Sequence, residues 1–138
     1  MPSKARAPKR CTSTRVSNLW IATTLIASLF TINVALAATS PESIDGTTKV
    51  DAEGLIDLVD KHPDLIVIDS RIPGDRKQGY IEGSISLPDV NTTCESLSKI
   101  IPKKNAISLF YCNGVKCGRS AKAIKIALGC GHTNIYWF

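Results

Sequence analysis

Between Tyr111 and Ala123 the chain reads YCNGVKCGRSAKA, which places Cys112 and Cys117, Gly114 and Gly118, and the cations Lys116 and Arg119 in one short stretch. A deprotonated cysteine is a nucleophile or a metal ligand, and two cysteines can also close a disulfide. Glycines free the backbone to turn successive N–H groups toward one centre, where neighbouring cations strengthen the field. These residue types admit four chemistries: a metal knuckle, a disulfide, a phosphate cradle, or a nucleophile in an anion-binding loop. A zinc set would run through Cys112, Cys117, Cys130 and His132, but one residue between the last two is too few for the usual closing ligands. A nucleotide-binding phosphate loop is weaker still, because Gly114 and Gly118 are too close together and Arg119 stands where a lysine is required.

The flanking elements decide among the rest. Ala106 to Tyr111 (AISLFY) is predicted as a strand, and Ser120 to Leu128 (SAKAIKIAL) as a helix with apolar Ala121, Ile124 and Leu128, ended by Gly129. In an open α/β sheet, ligands sit in the loop that leaves a strand's carboxyl end and starts a helix. Cys112 is the first residue of that loop, and Arg119 and Ser120 stand at the helix start. The helix N-terminus adds partial positive charge, and an anion at the loop centre, including a thiolate, is favoured. Cys112 is therefore the candidate nucleophile.

Upstream, Asp51 is positioned to cap a helix whose apolar residues Ala52, Leu55, Ile56 and Val59 recur at helical spacing, and His62-Pro63 ends it. Leu65 to Ile68 is a short branched apolar run, read as a buried parallel strand. Asp69-Ser70-Arg71 then opens a loop, Ser84 to Leu87 is a further short strand, and Thr92 with Glu95 has capping-box spacing before a helix reaching Pro102. Asn134 to Phe138 forms the last strand, with Trp137, Tyr136 and Phe138 expected in the core. Alternating strands and helices make this an α/β domain with a mainly parallel central sheet.

The segments LIVIDSR, GYIEGSISLPD, LFYCNGVKCGRSAKA and TNIYWF resemble, in order and approximate spacing, those of rhodanese-like domains. The resemblance spans about Val50 to the end, with DSR and the cysteine-to-RSAKA loop as its most specific parts. It implies a three-layer fold with helices on both faces of the sheet. It also implies a sulfurtransferase: the cysteine after the strand takes a sulfane sulfur from a donor anion such as thiosulfate, becomes a persulfide, and passes the sulfur to a thiol or protein acceptor. Carried onto this chain, the persulfide carrier is Cys112. The binding loop comprises Asn113, Gly114, Val115, Lys116, Cys117 and Gly118, closed by Arg119 and Ser120. Asp69 and Arg71 match the family's acid and arginine that brace neighbouring loops, with Asp69 a buried acceptor rather than a base. No metal or organic cofactor is expected.

Three features depart from the family pattern. Six residues separate Cys112 from Arg119, whereas sulfurtransferases of the family have four and the related cell-cycle phosphatases and arsenate reductases have five. The wider loop keeps phosphate or arsenate chemistry as a second reading. Tyr80 stands where a histidine is common, and Arg76 where an aromatic is usual. The chain also ends at Phe138, where relatives commonly continue, which reads as a missing C-terminal segment. Cys117 has three possible roles: a resolving thiol that forms a disulfide with Cys112, the nucleophile itself, or a bystander. A non-enzymatic sulfur or thiol-redox relay is the third functional reading. Cys94 and Cys130 are either buried apolar residues or partners of one another.

The N-terminus carries Lys4, Arg6, Lys9, Arg10 and Arg15 and no acid before Glu42, followed by the uncharged run Leu19 to Ala37 ending in Ala35-Leu36-Ala37. Residues 1–37 therefore read as a secretory signal peptide, with an uncleaved anchor over residues 19–37 as the alternative. Residues 38–47 read as a flexible lead, and 48–138 as the rhodanese-like domain. Without residues 1–37, twelve Lys and Arg face twelve Asp and Glu. That balance gives no support to a nucleic-acid partner and leaves the N-terminal segment as the sole membrane contact. The expectation is a periplasmic or secreted protein.

Overall fold

The computed structural model describes residues 40–138. The expected signal peptide and the first residues of the expected flexible lead lie outside the described residues. Five strands, β1 (Thr47–Lys49), β2 (Ile66–Asp69), β3 (Ile85–Ser86), β4 (Ser108–Tyr111) and β5 (Ile135–Trp137), form one parallel sheet in the order β1-β5-β4-β2-β3. Four helices accompany them: α1 (Ala52–Lys61), α2 (Pro73–Arg76), α3 (Cys94–Ile100) and α4 (Gly118–Gly129), with a 3-10 turn at Asp89–Asn91.

Because side chains alternate across a strand, β2 and β4 feed two cores at once. Ile68 and Phe110 join Leu97, Ile101, Ala123, Ile124 and Trp137 under α3 and α4. Val67, Leu109 and Tyr111 turn the other way, against Leu55 and Leu58 of α1. Helices thus cover both faces, and the expected three-layer α/β fold is present.

The structure corrects several local readings. Asp51 does cap α1, accepting from the Gly54 N–H at 2.9 Å, but the buried stripe is Leu55 and Leu58, while Ile56 and Val59 are 61% and 50% exposed. A short helix against a flat sheet buries only a narrow stripe, so the apolar spacing overstated its width. The cap of α3 is Thr93, in a reciprocal box with Ser96, one residue later than the Thr92 and Glu95 pair. The Thr92 hydroxyl instead donates to the Pro88 carbonyl. Part of the stretch read as a lead is structured: Ile44 is buried in the core, and Thr47 begins edge strand β1. Polar, three-residue β1 carries no alternation that a sequence reading could detect, and pairing with β5 creates it.

Candidate functional site

The carboxyl ends of β2 and β4 lie side by side, with Asp69 paired to Tyr111 in the register. Asp69 is fully buried and is the centre of a polar cluster. Its carboxylate accepts from Arg71 Nε and NH2 at 2.8 Å each, from Arg76 NH1 at 2.9 Å and from the Tyr111 hydroxyl at 2.8 Å. Burial alone would raise the Asp69 pKa. The hydrogen bonds from Arg71, Tyr111, the Arg71 amide and Arg76 outweigh burial and hold the carboxyl far below its usual range. Arg71 is driven correspondingly upward by its bond to Asp69. Each buried ion here has several partners, as burial of charge requires.

From this floor Arg71 donates to the Gly79 carbonyl at 2.8 Å and reaches Asn113 Oδ1 at 3.5 Å, so it spans the β2 loop and the cysteine loop. The two departures Arg76 and Tyr80 explain each other: the Arg76 guanidinium lies 3.8 Å from the Tyr80 ring centroid while also bonding Asp69 and the Ser84 hydroxyl.

Cys112 leaves β4 directly, and Cys117 is the N-cap of α4. Between them the chain turns at Gly114, whose φ of 116° is a conformation suited to glycine, and the Cys117 N–H donates to the Gly114 carbonyl at 2.9 Å. The loop is closed by a Cys112–Cys117 disulfide, with Cα atoms 6.1 Å apart. A second disulfide joins Cys94 to Cys130. With the four cysteines of the described residues paired, the zinc set through Cys112, Cys117, Cys130 and His132 is not assembled, and no metal-holding cluster occurs among those residues.

A cavity of about 910 Å³ lies over the loop, lined by Asn113, Gly114, Val115, Lys116, Cys117, Gly118 and Arg119 together with Asp89 and Lys122. No side chain caps the N-terminus of α4, so that helix end is free to face an anion. A second recess of about 530 Å³ is lined by Cys112, Val50, Trp137 and Phe138 among others. Asn113, Gly114 and Val115 line both cavities, whereas Cys117 lines the first and Cys112 the second.

One expected loop residue is misplaced. Ser120 does not close the cradle; it is buried and its hydroxyl accepts from the Trp137 indole N–H at 3.0 Å. Its position as the third residue of α4 turns it toward the sheet. Arg119 does line the cavity, but its guanidinium is held by Asp75 at 2.9 Å and lies 4.0 Å from Asp89. Asp89 in turn pairs with Lys122 at 3.1 Å, and Asp75 accepts from Asn113 Nδ2 at 2.7 Å. Sequence reasoning missed Asp75 and Asp89, because each comes from a short element, α2 and the 3-10 turn, distant in the chain from Arg119 and Lys122. Their only signal was a helix-starting PGD and the LPD after β3. Trp137 is in the core as expected, Tyr136 is half-buried and Phe138 is 41% exposed. His132, expected in a turn, is buried, with Nε2 3.3 Å from Lys104 Nζ.

Residues 51–138 match the family described as the rhodanese-like domain. Among solved structures, the chain is similar to a thiosulfate sulfurtransferase from Pseudomonas aeruginosa, with 16% identity over 67% of this chain and 17% of that one, at a TM-score of 0.57. It is similar to an uncharacterized protein from Saccharomyces cerevisiae, with 25% identity, 66% of this chain and 83% of that one, at 0.52. A single-domain sulfurtransferase from the same yeast shares 19% identity over 71% and 85% of the two chains, at 0.50. No curated protein sequence matches the chain. At these identities the likeness to the two sulfurtransferases is one of fold.

Proposed function

The chain belongs to the rhodanese-like domain family, and from that premise we propose that it is a sulfurtransferase with Cys112 as the sulfur carrier. The observation that carries this reading is the placement of Cys112 at the end of β4, at the head of a loop that leads to an uncapped helix N-terminus and whose residues 113–119 line a cavity. In the reduced protein, the Cys112 thiolate attacks the outer sulfur of a donor such as thiosulfate. The donor's S–S bond breaks, sulfite leaves with the bonding electron pair, and Cys112 retains one sulfur as a persulfide. Lys116, Arg119 and the loop amides hold the donor's negative oxygens and the developing charge on sulfur. A thiophilic acceptor then removes the sulfur.

Phosphate or arsenate chemistry in the same loop is the reading favoured by the six-residue spacing between Cys112 and Arg119. Asp75 and Asp89 partly neutralise Arg119 and Lys122, which weakens the field for any doubly charged oxyanion, thiosulfate included. A thiol-redox relay is favoured by one specific observation, the Cys112–Cys117 bridge. Export to an oxidising compartment accords with both bridges and with the basic, apolar leader.

Intact mass of the reduced protein after exposure to thiosulfate separates these readings. A gain of about 32 Da on the peptide holding Cys112, absent in Cys112→Ser, is the expected result of persulfide formation. Cleavage of a phosphate ester without that adduct would remove the sulfurtransferase reading. A bridge that cycles with thiols while no sulfur is taken up would leave the relay.

A further inference from the structure

The bridge raises the question of what happens to a sulfur carried on Cys112 when a second thiol lies in the same loop. We propose that Cys117 is an internal acceptor: it discharges the Cys112 persulfide by forming the Cys112–Cys117 disulfide and releasing hydrosulfide. This inference rests on the sulfurtransferase reading of Cys112 and adds a product and a second substrate class to it.

Three observations support it. The bridged structure contains the bond that such an attack would form, so the loop backbone accommodates it, with Cα atoms 6.1 Å apart and within ordinary disulfide reach. Cys117 is the N-cap of α4, where the helix end favours the thiolate that thiol–disulfide exchange requires. The third is that Cys112 lines a recess whose lining also includes Lys49, so a cation borders the same recess as the sulfur carrier, where it can stabilise a departing anion.

The step balances without an oxidant. The Cys117 thiolate attacks Cys112 Sγ, a Cys117–Cys112 bond forms, and the bond from Cys112 to the sulfane sulfur breaks. The electron pair leaves with the sulfane sulfur, which takes the Cys117 proton as hydrosulfide; that sulfur is reduced while Cys117 is oxidised. A dithiol reductant then restores both thiols. The full cycle converts thiosulfate and a dithiol to sulfite, hydrosulfide and a disulfide. The six-residue spacing between Cys112 and Arg119 serves this cycle by giving the loop room for the second thiol.

The test uses the full chain, reduced, freed of reductant, and given thiosulfate with no other thiol present. Trapped sulfide, intact mass and peptide mapping are followed together. Wild type is expected to release one sulfide per chain and finish about 2 Da lighter than the reduced protein, bridged between Cys112 and Cys117. Cys117→Ser and Cys117→Ala are expected to stop at the adduct of about 32 Da, with sulfide release slower by at least about tenfold. The wild-type rate per chain should not change on dilution, because the acceptor is internal. If wild type keeps the adduct and releases sulfide no faster than the variants, or if release slows on dilution, the internal acceptor is overturned while Cys112 remains a sulfur carrier. If neither wild type nor variants take up sulfur, the sulfurtransferase reading itself fails.

Discussion

The two disulfides are the same bond in opposite settings. Cys94–Cys130 spans 36 residues and ties the start of α3 to the end of α4, with Cys130 packed against the main core. Cys112–Cys117 spans five residues of one loop and borders two cavities. Chain-entropy arguments assign about 4 kcal/mol of stabilisation to a loop of the first length and about 2 kcal/mol to the second. The long bridge restrains the fold, whereas the short one mainly decides which sulfur is available. Their difference predicts that removing one should affect chemistry with little effect on stability, and removing the other the reverse.

The largest effect should come from Cys112→Ser. Loss of the nucleophile should lower sulfur transfer by more than about a thousandfold, while guanidinium unfolding shifts by no more than about 2 kcal/mol. A variant that retains transfer would move the chemistry to Cys117 and dissolve the distinction between the bridges.

Next in size is Asp69→Asn, which asks whether the chemical end of the sheet is held by its polar floor rather than by the short bridge. Removing this charge leaves Arg71 and Arg76 part-buried without their shared acceptor, a change expected to cost about 3 to 5 kcal/mol. Because the folded-state pKa of Asp69 is depressed, its contribution is complete above the unfolded carboxylate pKa of about 4 and declines as pH falls below it. Denaturation curves of wild type should weaken through that acid range, and those of the variant should weaken less. Equal acid sensitivity in both would show that Asp69 is not what holds this end together.

The third test removes the long bridge. Cys94→Ala with Cys130→Ala should lose about 3 to 4 kcal/mol under oxidising conditions, with sulfur transfer per folded molecule unchanged. A fall in transfer at full folding would mean that the distant corner communicates with the loop.

Much of this arrangement was legible in the residues. Leu65 to Ile68 and Ala106 to Tyr111 are branched or aromatic runs whose burial is dictated by their composition, and a loop with Cys112, Gly114 and Gly118 before a helix can serve few purposes. Pairing of Cys94 with Cys130 was left open because nothing local brings residues 36 apart together. Asp75 and Asp89 escaped for the same reason: their partners Arg119 and Lys122 lie on α4, far along the chain. The Ser120 error was one of rotation, since a residue at the first turn of a helix can face the ligand or the sheet, and only the packing of Trp137 selects the sheet.

The smallest expected effect belongs to the corner held by the long bridge. His132 lies two residues beyond Cys130 and is buried. Burial, with a lesser contribution from Lys104, lowers its pKa below the usual 6.5, so the folded state favours the neutral ring. As pH falls below about 6.5, the unfolded chain takes up a proton that the folded chain resists, and stability declines until the folded-state pKa is also passed. A loss of stability is therefore expected between pH 7 and 5, and His132→Gln should flatten it. Breaking Cys94–Cys130 should leave this slope intact if His132 stays buried without the bridge, and abolish it if the bridge is what keeps the ring from water. Unfolding curves of the bridged and bridgeless proteins at the two pH values therefore measure how far the long bridge's restraint extends into the neighbouring core, an effect the short bridge should not reproduce.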